Sequence, residues 1–181
     1  LVYGAPITVT RNNIADGKAY GVICNSGIAN TCNADGVEKA EMMCKLVADA
    51  TNLKPTDFVV ASTGVIGQPI NIEPIENGMA QLVAELSEDG SDSAAQAIMT
   101  TDTVKKEFAV SFTLNGKECK IGAISKGSGM IHPNMATMLG FITTDANISS
   151  EMLKKALLEV VKDSFNMLSV DGDTSTNDTV A

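Results

Sequence analysis

Residues 20–61 read YGVICNSGIANTCNADGVEKAEMMCKLVADATNLKPTDFVVA, and the rest of the chain follows the alternation this stretch sets. Tyr20-Gly21-Val22-Ile23-Cys24 is an apolar run closed by Asn25-Ser26-Gly27, the pattern of a buried strand that ends in a loop. Between 35 and 52 the apolar residues fall at Val37, Ala40, Met43, Cys44, Val47 and Ala48. Spacings of three and four place them on one helical face. Phe58-Val59-Val60-Ala61 is then a second buried strand.

Working outward, strands and helices keep alternating. Ile7-Thr8-Val9-Thr10 has β-branched alternation and predicts a short strand. Asn71 caps a helix with Pro74 in its first turn, where a missing N–H costs little. Its apolar face is Ile72, Ile75, Met79, Leu82, Val83 and Leu86. An acidic link with Gly90 and a short Ala-rich helix over 93–99 follow. Segments 106–114 and 118–124 flank Asn115-Gly116, a two-residue hairpin signal. A strand over 138–142 precedes a helix capped by Ser149. That helix is predicted to be the longest, its apolar face running from Met152 and Leu153 to Phe165 and Leu168. The polar run 169–178 leads into Thr179-Val180-Ala181, which reads as the start of a strand. No solenoid repeat and no low-complexity linker interrupts the order.

Composition narrows the function classes. The 181 residues carry 22 acidic and 13 basic side chains, a net charge of −9, one histidine and no tryptophan. Phosphates must be met by clustered Lys and Arg, so this balance excludes nucleic acid as a partner. No apolar run approaches the roughly 20 residues of a membrane helix, which excludes a membrane partner of that kind. The single His132 excludes any multi-histidine metal site, and no metal is expected. Cys24, Cys32, Cys44 and Cys119 include no CxxC spacing and read as reduced, mostly buried thiols of a cytosolic type.

Candidate chemistry gathers in glycine-rich turns. Ser62-Thr63-Gly64-Val65-Ile66-Gly67 follows a strand and precedes a helix, a place where backbone N–H groups and the Thr63 hydroxyl could meet an oxyanion. A plain turn that needs glycine explains the same spacing. The second turn is Lys126-Gly127-Ser128-Gly129-Met130-Ile131-His132-Pro133-Asn134-Met135-Ala136-Thr137-Met138-Leu139. Its lysine precedes the glycines, so it is not a phosphate-binding P-loop. Lys126 could bind a carboxylate, and His132 could act as a base; a solvated lysine and a structural histidine are the simpler readings. Asp171-Gly172-Asp173 with Ser175 and Asn177 only loosely resembles a calcium loop, because the closing Glu is absent. Thr100-Thr101-Asp102-Thr103 offers hydroxyls, or ends a helix through local bonds.

Taken together, these segments resemble the self-cleaving ornithine acetyltransferases, also called glutamate N-acetyltransferases. The resemblance is carried by the run from Lys126 to Leu139 with Thr143-Thr144-Asp145-Ala146, by Val22-Ile23-Cys24-Asn25-Ser26-Gly27-Ile28-Ala29-Asn30, by 62–67, and by Val170-Asp171-Gly172-Asp173-Thr174-Ser175-Thr176-Asn177-Asp178. It implies an α/β fold, a layered α-β-β-α sandwich of the ornithine acetyltransferase and aminopeptidase type, here incomplete. It implies that 1–181 is one partial domain of a precursor about twice this length. The precursor cuts itself between Ala136 and Thr137.

The implied mechanism needs no histidine. The freed Thr137 carries a hydroxyl nucleophile and an α-amine, whose reference pKa of about 7.7–8.0 lets it take the hydroxyl proton. Thr63 through its hydroxyl and Gly64 through its N–H match the oxyanion-hole pair. Thr100, Lys126 and Thr137 match substrate-binding positions. N-acetylornithine donates the acetyl group and glutamate accepts it; acetyl-CoA is a further donor in some members, and no cofactor is implied. The implied assembly holds two copies of each cleaved chain, in bacterial cytosol or, for a fungal member, the mitochondrial matrix. The 1–181 stretch alone, with an uncut 136–137 bond, is expected to be inactive. Two other functions fit the residues: an amidase or aminopeptidase of the same architecture, which would release the acyl group to water, and a non-catalytic small-anion binding domain using Thr63-Gly64 and Lys126.

Overall fold

The computed structural model describes residues 3–132 and 138–181. The chain divides into two compact units, 1–90 and 91–181.

In the first unit, α1 (Ala5–Asn13) is followed by β1 (Gly21–Asn25), α2 (Gly36–Thr51), β2 (Phe58–Ser62) and α3 (Glu73–Ala84). Strands β1 and β2 pair in parallel, Gly21 opposite Phe58 and Asn25 opposite Ser62. All five residues of β2 are buried. Helix α2 turns Ala40, Met43, Cys44, Val47 and Ala48 inward, as its spacing predicts, and Asn52 ends it in the left-handed conformation. Together with Val9, Ile23, Phe58, Val60, Ile70, Ile72 and Met79 these form one apolar core.

The strand expected over Ile7-Thr8-Val9-Thr10 is instead the middle of α1. Pro6 sits in the first turn, where its fixed φ suits a helix start. The reason the β-branched residues accept a helix lies in β2. Among the described residues its outer edge has no strand beside it, and α1 supplies partners by side chain. Thr10 Oγ1 donates to the Val60 carbonyl at 2.7 Å and accepts from the Val60 N–H at 2.9 Å. Asn13 Nδ2 donates to the Phe58 carbonyl at 2.9 Å. Buried backbone groups must be paired, and here that requirement outweighs local propensity.

Helix α3 begins two residues after Asn71, whose Oδ1 accepts from the Glu73 N–H at 3.1 Å. Its face is only partly covered: Met79 is buried, while Leu82 and Leu86 are exposed.

In the second unit, α4 (Ser91–Ala97) precedes the hairpin β3 (Lys106–Leu114) and β4 (Lys117–Lys126), then β5 (Leu139–Thr144), α5 (Ser150–Val160) and β6 (Thr179–Val180). The sheet order is β3-β4-β5-β6, antiparallel except for the parallel β5–β6 pair. Asn115 and Gly116 both have positive φ, 51° and 76°, as a tight hairpin turn of this sequence requires. The closing strand begun at Thr179 is real: it pairs with Leu139 and Gly140. Ser149 caps α5, its Oγ accepting from the Met152 N–H at 3.3 Å. The helix stops at Val160, short of Phe165 and Leu168, because Ser164 leaves helical φ/ψ and its hydroxyl donates back to the Val160 carbonyl. It is therefore shorter than α2.

Candidate active site

The predicted site residues fall in both units. In the first, they lie just past the end of β2. Thr63 is buried, and its N–H donates to the Asn25 carbonyl at 2.9 Å, extending the strand pairing by one step. Gly64 follows with φ +122°, a conformation L side chains rarely adopt. A Cβ there would collide with the Gly27 carbonyl. The turns after β1 and β2 are laced together. Val65 N–H donates to the Gly27 carbonyl at 3.1 Å and Ala29 N–H to the Val65 carbonyl at 2.8 Å. The Asn25 side chain braces this turn, accepting from Gly27 N–H and donating to the Ile28 carbonyl. Glycine at 64 is thus demanded by a close backbone approach, and the Thr63 side chain is carried by a buried strand rather than a mobile tip.

In the second unit, Lys126 ends β4 and is 2% exposed. Its ammonium donates to Thr100 Oγ1 at 3.0 Å, so two of the predicted substrate-binding residues meet. A buried ammonium is tolerated only where it is bonded or paired. The loop carrying Thr100 is fastened to the loop after Lys126 by Asp102. That carboxylate, its side chain fully enclosed, accepts from Lys106 Nζ at 2.6 Å, Gly127 N–H at 2.9 Å and Thr100 N–H at 3.2 Å. Burial alone would raise its pKa; the bonds from Lys106, Gly127 and Thr100 outweigh burial and hold it below the usual carboxylate range. Thr101 Oγ1 and Ser128 Oγ share a further bond at 2.7 Å.

Beyond Gly129 the chain is held by carboxylates of the polar run 171–178. Asp171 accepts from Met130 N–H at 2.6 Å and Ile131 N–H at 2.9 Å. These bonds, Met130's first, hold its pKa below the ordinary value. Asp178 accepts from Met138 N–H at 2.8 Å. Burial pushes its carboxyl up to about 6, against the opposing pull of the Met138 N–H and the Lys126 charge. Ala136 and Thr137 lie outside the described residues. His132 is exposed.

The sequence reading named Thr63, Gly64, Thr100 and Lys126 but gave no role to Asp102 or Asp178, and it considered Asp171 only as a calcium ligand. The oxygens of Asp171 are engaged by backbone N–H groups instead. A detectable signal did exist: each acid lies within a short run of Gly, Ser, Thr and Asn, where a carboxylate has backbone donors to collect. The cysteines are free thiols. Cys44 is buried in the core, which pushes its pKa up to about 11, and it has no part in the site.

Comparison with known proteins agrees across sequence and structure. A family model described as "ArgJ family" matches residues 1–181. The "Arginine biosynthesis bifunctional protein ArgJ 1" of Clostridium acetobutylicum is 51% identical over 178 residues, 98% of this chain and 44% of that protein. The ArgJ bifunctional protein of Symbiobacterium thermophilum is 49% identical over 181 residues, 99% of this chain and 45% of its own length. The chain therefore spans less than half the length of these relatives. Among solved structures, the arginine biosynthesis bifunctional protein of Bacillus halodurans superposes with a TM-score of 0.65 at 38% identity, covering 75% of this chain and 72% of its own. Ornithine acetyltransferase from Mycobacterium tuberculosis, complexed with ornithine, gives 0.64 at 30% identity, covering 74% and 72%. The α/β class expected from the sequence is thus the fold of these proteins.

Proposed function

Because this chain belongs to the ArgJ family, we propose that it forms part of an acetyltransferase of arginine biosynthesis that moves the acetyl group of N-acetylornithine to glutamate through an acetyl-threonine at Thr137. The observation that carries this reading is the Lys126–Thr100 contact. It sets a buried cation and a hydroxyl side by side, groups of the kind that an amino-acid carboxylate and an amide require. The ornithine bound to the mycobacterial relative supports the same substrate class.

The steps take the residue roles that the family resemblance implies. Thr137 Oγ first attacks the Ala136 carbonyl, the Ala136–Thr137 C–N bond breaks as the acyl group moves to oxygen, and water hydrolyses the ester. This leaves an Ala136 carboxylate and a Thr137 α-amine. In turnover the amine takes the hydroxyl proton while Oγ attacks the acetyl carbonyl. Thr63 and Gly64 donate to the oxyanion, each such donor being worth about 2.7–4 kcal/mol in comparable sites. Collapse expels ornithine with a proton on its nitrogen, and the glutamate amine takes the acetyl group from the ester. Acetyl-CoA serves as an alternative donor to the same threonine in a bifunctional enzyme. Cleavage does not free the two pieces from each other, since β4 before the junction pairs with β5 after it from Ile121–Thr144 to Lys126–Leu139. Their partner is a second copy of each piece, in a cytoplasmic enzyme.

The test uses the full-length protein. Wild type should yield two species split before Thr137 and form N-acetylglutamate from N-acetylornithine only when glutamate is present. Thr137→Ala should stay intact and inactive. Acetyl release to water without glutamate would favour an amidase, and unchanged ligand binding with no turnover in wild type would favour a binding domain.

A further inference from the structure

The Lys126–Thr100 contact joins two segments that the strand pairing leaves apart. The β3–β4 ladder ends with Lys106 opposite Ser125, and Thr100 lies beyond that end. Lys126 takes its ladder partner on the other side, Leu139 of β5. Asp102 crosses the gap with both of its oxygens. Oδ2 accepts the Thr100 N–H at 3.2 Å, while Oδ1 accepts the Gly127 N–H at 2.9 Å and the Lys106 ammonium at 2.6 Å. One enclosed carboxylate is thereby tied to the backbone of Thr100, to the residue after Lys126 and to the first residue of β3.

We propose that Asp102 is a positioning residue for substrate binding, holding the Thr100 hydroxyl against the Lys126 ammonium so that the pair meets a substrate carboxylate as one unit. The proposal rests on the reading of Lys126 and Thr100 as substrate-binding residues. Thr100 is exposed and Lys126 buried, so the hydroxyl is the outer member of the pair. Oγ1 accepts from the ammonium, which leaves the hydroxyl proton to donate to a ligand oxygen. That arrangement depends on where the 100–102 segment sits, and an exposed segment outside a ladder needs an anchor. A carboxylate suits the anchor's place for two reasons. It offers acceptors on both oxygens, so it holds both N–H groups at once, whereas an amide would turn an NH2 group toward one of them. Its bonds to N–H groups are also stronger than those of a neutral acceptor. The Lys106 ion pair offsets its negative charge, which would otherwise repel an arriving carboxylate.

The experiment uses the full-length protein, with ornithine binding measured by calorimetry, the KM and kcat for N-acetylornithine by steady-state kinetics, and a melting curve for each variant. Asp102→Asn should weaken ornithine binding and raise KM at least about tenfold, with kcat changed less than about threefold. Lys126→Met measures the loss when the cation itself is gone. If Asp102 acts through the Lys126–Thr100 pair, the double variant binds no more weakly than Lys126→Met alone. A structural tie alone would make the two losses multiply and would lower the melting midpoint without this split between KM and kcat. Asp102→Ala, which has no side-chain acceptor, repeats the cycle if the asparagine variant does not fold. Wild-type binding and KM in a folded Asp102 variant, or losses that multiply in the double variant, would overturn the proposal. Lys126→Met separates the two levels. If it binds ornithine as wild type does, the reading of Lys126 fails and the proposal with it; if it loses binding while Asp102→Asn keeps it, only the positioning role fails.

Discussion

Two amphipathic helices with similar sequence spacing meet different ends in the two units. Helix α2 buries Ala40, Met43, Cys44, Val47 and Ala48 against β2 and α1. Helix α5 has the same three- and four-residue spacing, yet none of its residues is buried, and Met152, Leu153, Leu158 and Val160 are about half exposed. The difference is not in the helices. In the first unit an apolar strand and a second helix stand opposite the face; among the described residues of the second, nothing of the kind covers α5. The candidate residues of the two units, each taken by itself, differ in the same way. Thr63 and Gly64 rest on a closed apolar core and a close backbone approach. Thr100 and Lys126, at the end of β4, rest on segments tied by the Asp102 carboxylate. The first unit should therefore answer to truncation of apolar side chains, and the second to charge and pH.

The largest effect is expected where the core is tightest. Met43 is fully buried, and Met43→Ala should cost about 2–5 kcal/mol, read as lost hydrogen-exchange protection in β1, β2 and α2. A loss confined to a few tenths would mean that the first unit is no better closed than the second. Thr10→Val is the next test. It keeps shape but leaves the Val60 N–H and carbonyl without their hydroxyl partner, at a cost of about 1–3 kcal/mol. Urea unfolding of the variant would measure it, and an unchanged midpoint would show that α1 does not serve as the missing edge of β2.

These contrasts mark what was legible in the sequence. Helix α2, strands β1 and β2, and the Asn115-Gly116 hairpin could be read because their periodicity or turn chemistry is local. The α1 segment could not: Ile7 to Thr10 looks like a strand until the outer edge of β2 is seen to have no strand among the described residues, which is a tertiary fact. Thr63, Gly64, Thr100 and Lys126 stand out only through resemblance, and the structure brings Lys126 and Thr100 into contact. Asp102, Asp171 and Asp178 act across roughly 25 to 40 residues of sequence, a reach that no spacing rule captures.

Titration separates the units next. The Asp178 carboxyl titrates near 6 in the folded chain and near 3.8 when unfolded, so between those values the native state binds more protons. Stability therefore falls as pH rises from about 4 to about 6, by an amount of order 1 kcal/mol once solvent screening of a partly exposed group is allowed for. Asp178→Asn should flatten this slope, and melting curves at half-unit pH steps would detect it. Asp102 and Asp171 act with the opposite sign. Their lowered values contribute stability above the ordinary carboxylate pKa that is lost as pH falls through the folded one. Exchange protection in β3, β4 and β5 should carry both trends, and protection in β1 and β2 neither.

The smallest effect is the sharpest check on the opening contrast. Leu153 lies on the apolar face of α5 and is 48% exposed. Leucine and alanine have similar helix propensity, so Leu153→Ala isolates burial from helix formation. In the 181-residue chain it should change stability by no more than about 0.5 kcal/mol, an order of magnitude below the upper range for Met43→Ala. Equilibrium unfolding of both variants under one set of conditions gives the comparison directly. A cost above about 2 kcal/mol for Leu153→Ala would mean that the α5 face is covered in solution by another copy of the chain, and that cost would then depend on protein concentration.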